Sequence, residues 1–256
     1  MAEPIAEVAF DTDVGEGFGA WELGDDDALL GVVTAANVAC GFHAGDPDIL
    51  RRTCDRAAEL GVSIGAQVSY RDLAGFGRRY IAVPPASLVN DLLYQIGALE
   101  AFARVAGTRV SYVKPHGALY NVAARDAEHA GAIVAAVAAY DRSLPLLCQP
   151  ATEVWRLATG AGVRPVAEAF VDRGYTVEGL LVPRGQPGAL VTDPAGAAAR
   201  AVRMVVESRV ESVDGVDVEL VPEALCVHSD TPGAVEIARA VRGALEAIGV
   251  RLVPVS

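Results

Sequence analysis

The sequence predicts an α/β fold, a (β/α) barrel of seven or eight strands, irregular and TIM-like, built as a single domain over residues 1–256. Three observations carry that prediction. Short runs rich in Val, Ile and Ala alternate with amphipathic helical runs from end to end, the pattern of βαβ units around a parallel sheet covered on both faces. No internal repeat, charge block or long linker divides the chain. Polar or titratable residues follow nearly every strand run. An open doubly wound sheet needs such residues only at its switch point, whereas a barrel mouth gathers every βα loop.

In chain order, strands are expected at Glu7–Asp13, Val33–Cys40, Val62–Ser69, Arg109–Lys114, Leu144–Gln149, Val163–Glu168, Glu223–His228 and Val250–Val255. Asp46-Pro47 supplies an N-cap and a first-turn proline for a helix that runs to Leu60 and stops at Gly61. Leu88, Leu92, Ile96, Leu99 and Ala103 recur at three- and four-residue spacing, giving a helix that ends near Gly107. Another spans Asp126–Tyr140. Asp193-Pro194 and Thr231-Pro232 repeat the cap-and-proline signal. Val202, Val205 and Val206 mark the inner face of the first of these two helices; Ala238, Val241 and Leu245 mark that of the second.

The 256 residues carry 21 basic and 33 acidic side chains, a formal charge of −12, and 52% are hydrophobic. Such a chain builds a core and is not a disordered or low-complexity protein. Its acidity argues against a nucleic-acid surface or a polybasic membrane anchor, and it leaves homo-oligomer formation open. No apolar run approaches the roughly 18 residues that span a bilayer, and Met1-Ala2-Glu3-Pro4 lacks the pattern of a secretion signal, so a cytoplasmic protein is expected. Cys40, Cys54, Cys148 and Cys226 are widely spaced with no C-x-x-C, which fits buried reduced thiols.

Four blocks concentrate chemistry. Asp11-Thr12-Asp13-Val14-Gly15-Glu16 places three carboxylates at one strand end, where mutual repulsion raises one pKa or attracts a cation. His43 lies between Gly41 and Gly45 after the second strand. Gln67, Ser69 and Tyr70 close the third strand, and Gly75-Phe76-Gly77-Arg78-Arg79 behind them reads as a turn able to clamp a carboxylate or phosphate. Lys114-Pro115-His116-Gly117 follows the fourth strand. Three of the four histidines (His43, His116 and His228) fall at strand ends, and His129 in a helix reads as structural. Glu168, Asp172-Arg173 and His228-Ser229-Asp230 complete a ring of acids, bases and donors. The glycines fit neither G-x-G-x-x-G nor G-K-[ST], so no Walker nucleotide site is encoded.

Lys114 is the only lysine among the 21 basic residues. Where arginine serves every generic positive charge, a retained lysine points to a need for its compact ammonium. At a barrel mouth it is expected to be charged, and Lys114→Ala is expected to spare the fold.

At these blocks the sequence resembles the LamB/YcsF family, the A component of bacterial ATP-dependent 5-oxoprolinase. The runs are Asp13-Val14-Gly15-Glu16, Ala36-Asn37 with Ala39-Cys40-Gly41-Phe42-His43-Ala44-Gly45-Asp46-Pro47, Gly75-Phe76-Gly77-Arg78-Arg79, Val113-Lys114-Pro115-His116-Gly117-Ala118-Leu119-Tyr120-Asn121, Leu181-Val182-Pro183-Arg184, and Val227-His228 with Asp230-Thr231-Pro232-Gly233. The resemblance implies a barrel like that of sugar deacetylases, cleavage of 5-oxoproline to glutamate with ATP as cosubstrate, and partner 5-oxoprolinase subunits B and C that supply or share the ATP site. The residues expected to act in catalysis are Asp13, His43, Lys114 and His116. Those expected to bind substrate are Glu16, Ser69, Tyr70, Arg79, Glu168 and His228. Lys114 would neutralise a phosphoryl or carboxylate oxygen, His43 and His116 would handle protons, and Asp13 and Glu16 would orient them or activate water.

The chain departs from the family pattern at Ala9 and Asp11, where the family has Asp and Asn. It departs again at Gln67, in place of the His of H-P-S-Y, and at Ser229, in place of Gly. Two alternatives stay open. Asp13, His43 and His116 could hold a divalent metal in an amide or N-acetyl hydrolase of the same barrel type, although Gln67 is a poor substitute for an imidazole ligand. Alternatively, the departures could mark a non-catalytic lactam-binding paralogue.

Overall fold

The computed structural model describes residues 6–255; the N-terminal tetrapeptide read above for a targeting signal lies outside them. Six parallel strands pair in sequence: β1 (Glu7–Val14), β2 (Ala35–Ala39), β3 (Ser63–Val68), β4 (Val110–Pro115), β5 (Leu146–Cys148) and β6 (Pro165–Phe170). A small antiparallel hairpin, β7 (Arg209–Glu211) with β8 (Asp217–Glu219), stands apart from them. The seventh barrel strand, β9 (Ala224–Val227), pairs with β6 and also with β1, where Ala9 faces Ala224 and Thr12 faces Val227, so the ring closes. β10 (Arg251–Val253) pairs with the first three residues of β1 and extends the sheet beyond the ring.

Helices jacket the ring: α1 (Asp26–Leu30), α2 (Pro47–Leu60), α3 (Pro85–Val105), α4 (Gly117–Ala123), α5 (Ala127–Asp141), α6 (Glu153–Ala161), α7 (Pro194–Glu207) and α8 (Ala234–Ala247). The Asp46 side chain accepts from the N–H groups of Asp48 and Ile49, and Asp193 accepts from that of Gly196, which caps α2 and α7 as expected. Phe10 and Val14 of β1 turn outward and belong, with Leu29, Leu50, Ile64, Leu99 and Leu225, to the main core.

The inward faces position the site, and the two-residue strand repeat orders them. Ala9, Ala35, Tyr112, Leu147, Val166 and Ala224 form an apolar plug inside the barrel. Two residues further along each strand stand Asp11, Asn37, Lys114, Glu168 and Cys226, all buried. A further step gives Asp13, His116, Phe170 and His228. Gly65 of β3 faces Tyr112, and a Cβ there would lie 2.1 Å from the tyrosine ring, so the missing side chain makes room for that ring.

Several elements differ from expectation for identifiable reasons. The second strand starts at Ala35 rather than Val33, because the Val33 N–H bonds back to Leu29 O behind α1. The fifth strand is short because Pro145 cannot donate to a ladder. The last large helix starts at Ala234, not at Thr231-Pro232: Gly233, with φ 77°, holds the cap position and the Thr231 hydroxyl bonds to Asp172 instead. α1, α4, α6 and the hairpin are too brief to give a periodic signal.

Candidate active site

Lys114 stands at the centre of the barrel, 2% exposed. Its Nζ donates to Asp13 Oδ1 at 2.9 Å and to Cys226 Sγ at 3.1 Å, and lies 2.9 Å from Glu168 Oε1 and 3.6 Å from Asp11 Oδ1. Burial alone would lower the lysine pKa; Asp13, Cys226, Glu168 and Asp11 together outweigh it and hold the pKa well above the ordinary value. The carboxylates divide. Burial would raise Asp13, yet Lys114, His228 and His116 pull it well below the ordinary value. In Asp11 burial wins over Lys114, and burial pushes Glu168 up to about 8. The lysine is therefore paired chiefly with Asp13, which is held in its charged form, while burial favours the protonated form of Glu168. Asn37 fixes the acids in place: its Nδ2 donates to Asp11 Oδ1 at 2.7 Å and to Asp13 Oδ1 at 3.0 Å, while Tyr112 OH donates to its Oδ1 at 2.8 Å. Of the three carboxylates clustered in the sequence, Asp11 and Asp13 thus find an internal cation in Lys114, whereas Glu16 turns to Gln67 and Ser229.

A second group sits beside it. His43 and His116 stack with ring centroids 4.0 Å apart. Gln67 joins them to Glu16: its Nε2 lies 3.0 Å from Glu16 Oε1 and 3.0 Å from His116 Nδ1, and its Oε1 lies 3.2 Å from His43 Nε2. A carboxylate can only accept, so the Gln67 amide group must face Glu16. Its second N–H then goes to His116 Nδ1, and His43 Nε2–H donates to Oε1. His116 Nε2 donates to the Phe76 carbonyl at 2.9 Å. Both nitrogens of His116 are committed, and burial, then the neighbouring His43, keeps its pKa well below the ordinary value. The Gly75-Phe76-Gly77 turn lies over this stack; a Cβ on Gly77 would fall 2.5 Å from Ser69 Oγ and 2.9 Å from His116 Cδ2.

A cavity of about 640 Å³ opens above the barrel, lined by Asp13, Lys114, His116, Phe170 and His228 below and by Tyr80, Arg78, Arg173 and Arg184 toward its walls. His228 has the geometry of an oriented base. Its Nδ1 lies 3.0 Å from both oxygens of Asp172, which is buried and also accepts from Thr231 Oγ1 at 2.5 Å and from the His228 N–H at 3.2 Å. Asp172 is held below its ordinary pKa: burial opposes this, but His228 and Thr231 outweigh it. Nδ1–H donates to the carboxylate, and Nε2 makes no hydrogen bond among the described residues.

The family model of LamB/YcsF matches residues 8–256. The chain belongs to the LamB/YcsF family. It is 58% identical over 245 residues to a Streptomyces avermitilis protein named as the A component of 5-oxoprolinase, covering 96% of this chain and 98% of that one. A crystal structure of a lactam utilization protein from Thermus thermophilus superposes with a TM-score of 0.93 at 46% identity, covering 97% of this chain and all of the other. A deacetylase solved with substrate aligns with a TM-score of 0.50 at 13% identity, a likeness of fold alone that agrees with the expected deacetylase-type barrel.

Within this family frame the expected site residues separate into groups. Asp13, Lys114, His116 and His228 line the cavity. His43 and Glu16 stand behind it, joined through Gln67, and Glu168 lies beneath Lys114. Two residues point elsewhere: Arg79 turns to Asp72, and Tyr70 OH meets His129 Nδ1 at 3.0 Å. Ser69 stays beside the stack, its hydroxyl donating to the His116 carbonyl at 3.4 Å, without lining the cavity. Arg78 takes the place in the cavity expected of Arg79. Sequence reasoning did not foresee Asp172 as the partner of His228, for which the only signal was its four-residue spacing from Glu168.

Two groups have donors close enough to share a metal: Glu16, His43 and His116, and Asp11, Glu168 and Cys226. In both, protein groups already engage most of the donors, His43 Nδ1 being buried without a hydrogen-bond partner among the described residues. The Gln67 amide takes the lone pairs of Glu16 Oε1 and His116 Nδ1, and the Lys114 ammonium lies within 3.6 Å of all three residues of the second group. Among the described residues no helix is long and apolar enough to cross a membrane.

Proposed function

We propose that the chain works as the A component of an ATP-dependent 5-oxoprolinase, a cytoplasmic hydrolase that opens the lactam 5-oxo-L-proline to L-glutamate as ATP is cleaved to ADP and phosphate. The observation that carries this reading is full-length 58% identity to a protein of that name. The cavity is chemically suited to it. A five-membered lactam is a resonance-stabilised amide that water attacks slowly. Phosphorylation of its oxygen releases ADP and makes the ring carbon electrophilic; one water adds and the C–N bond breaks to leave an acyl phosphate, and a second water cleaves that to glutamate and phosphate.

Lys114 presents the one ammonium at the cavity floor and stabilises negative charge on the lactam or phosphoryl oxygen, with Asp13 fixing its position. His228, oriented by Asp172, moves protons through the free Nε2: it takes one from the attacking water and delivers it to the ring nitrogen as the C–N bond breaks. His43 and His116, with Glu16 and Gln67, shape the floor; the ring nitrogens of His116 are committed elsewhere. Partner subunits B and C complete the enzyme and contribute to the nucleotide site, consistent with the absence of a Walker motif.

A metal-dependent amide hydrolase on the same barrel is the weaker reading, because Gln67 and Lys114 engage the candidate donors. The deciding experiment combines the purified chain with its cognate partner subunits and follows glutamate release from 5-oxoproline. ATP-dependent glutamate formation supports the proposal. Glutamate released without ATP, and abolished by chelators, would favour the metal hydrolase. No product under either condition would leave only lactam binding.

A further inference from the structure

The cavity carries a second concentration of positive charge, away from Lys114. Arg78 and Arg184 both reach Asp230, at 2.6 and 3.4 Å, so two guanidinium groups share one carboxylate. Arg173 is 4% exposed and pairs with no carboxylate among the described residues. Its Nε donates to Ala189 O at 3.0 Å and its Nη2 to Val182 O at 2.6 Å, while Nη1 has no hydrogen-bond partner among the described residues. Burial, then Arg184, brings its pKa down to about 10, which still leaves it cationic at neutral pH. The nearby Asp172 acts on it but is engaged by His228 and Thr231, and a buried cation with no ion pair of its own is costly to maintain; this one faces the cavity.

Asp230 is the one carboxylate ion-paired to these three guanidinium groups, and Asp172, which also acts on Arg173, is engaged by His228 and Thr231, so positive charge is left in excess at the wall. A lactam carboxylate supplies one negative charge. A phosphoryl group supplies about two, with three acceptor oxygens suited to guanidinium forks. The volume fits a second reactant as well, since about 640 Å³ is far more than one five-membered ring fills.

We propose that Arg78, Arg173 and Arg184 form a phosphoryl-binding subsite beside the Lys114 floor, with Asp230 holding the two outer guanidinium groups until the anion arrives. Its ligand is the phosphate of a nucleotide or of a phosphorylated lactam, and that choice of ligand rests on the function proposed above.

The test is calorimetric titration of the purified full chain with inorganic phosphate, ADP and 5-oxoproline at constant ionic strength. Phosphate and ADP are expected to saturate one site, and Arg78→Gln or Arg184→Gln to weaken each about tenfold or more, with 5-oxoproline binding changed far less. Both variants alter partly exposed side chains, so they avoid the folding risk of Arg173→Gln. ADP binding more tightly than phosphate assigns the subsite to a nucleotide; equal binding assigns it to the phosphoryl group of the modified lactam. Absence of binding by both probes, or binding unchanged in both variants, overturns the proposal. A reconstituted complex that makes no glutamate would remove the 5-oxoprolinase reading while leaving an arginine-dependent phosphate site in place.

Discussion

Lys114 Nζ lies 2.9 Å from Asp13 Oδ1, and neither side chain is more than 3% exposed. This ion pair is the hinge between stability and chemistry: the same ammonium balances the interior carboxylates and faces the cavity.

Substituting Lys114 therefore tests both roles. A lysine at an open mouth could be truncated at little structural cost, but this one lies inside the barrel. Lys114→Ala is expected to destabilise the fold by about 3–5 kcal/mol at neutral pH, because the charged Asp13 carboxylate is left buried without its cation. The loss should shrink in acid, where Asp13 takes up a proton. Lys114→Arg keeps the charge but crowds Cys226 and Asp13, and is expected to lose most activity in the reconstituted enzyme. Denaturant unfolding of both variants and the glutamate assay check these outcomes.

The pH dependence of stability follows from opposite shifts. Glu168, raised from 4.5 to about 8, keeps its proton in the folded state over that interval while the unfolded chain releases it. Its contribution is full below 4.5 and is lost as the pH rises through about 8. Asp13 and Asp172, held below 3.8, contribute above that value and lose their contribution as the pH falls. Glu168→Gln, which cannot titrate, is expected to flatten the alkaline loss and spare the acid limb. Urea midpoints measured from about pH 4 to about pH 9 show this directly.

Gln67 satisfies three buried groups at once. Gln67→Met keeps approximate volume but leaves Glu16 Oε1, the His43 Nε2–H and His116 Nδ1 without that partner, at an expected cost of about 2–4 kcal/mol. Gln67→His returns an imidazole to the cluster. It is expected to bind zinc more tightly than the parent chain, measured by competition with a chromogenic chelator.

The Asp172–His228 pair should govern the rate rather than the fold. Asp172→Asn is expected to lower turnover about 10²–10⁴-fold and to shift the acid limb of the pH–rate profile, with KM changed less. A rate unchanged in this variant would return proton transfer to the His43–His116 stack.

Gly65→Ala places a methyl group 2.1 Å from the Tyr112 ring, whose hydroxyl is tied to Asn37. The ring has no easy retreat, so a loss of about 1–3 kcal/mol is expected, read from the shift in thermal midpoint.

How much of this was legible in the sequence depends on the range over which each feature is encoded. Alternating strand and helix runs, the Asp46 and Asp193 caps, and polar residues after each strand are local signals, and they suffice for the barrel. Lys114 stands out as the only lysine, and His43, His116 and His228 stand out at strand ends. The depth of Lys114, the turn of Arg79 away to Asp72 in favour of Arg78, and the partnership of Asp172 with His228 are not local. They depend on strand register and on loops that meet across the mouth.

The sequence by itself determined that a (β/α) barrel forms and that Asp13, Lys114, His116 and His228 stand at its strand ends, because a two-residue strand repeat and helix caps are written within a few positions of one another. Only the tertiary structure decided which of those groups meet. Asp11, Lys114, Glu168 and Cys226 come from four strands, and ring closure between β1 and β9 brings their side chains within reach of one ammonium. The resulting charges and proton positions depend on burial and on neighbours distant along the chain, which no local pattern records.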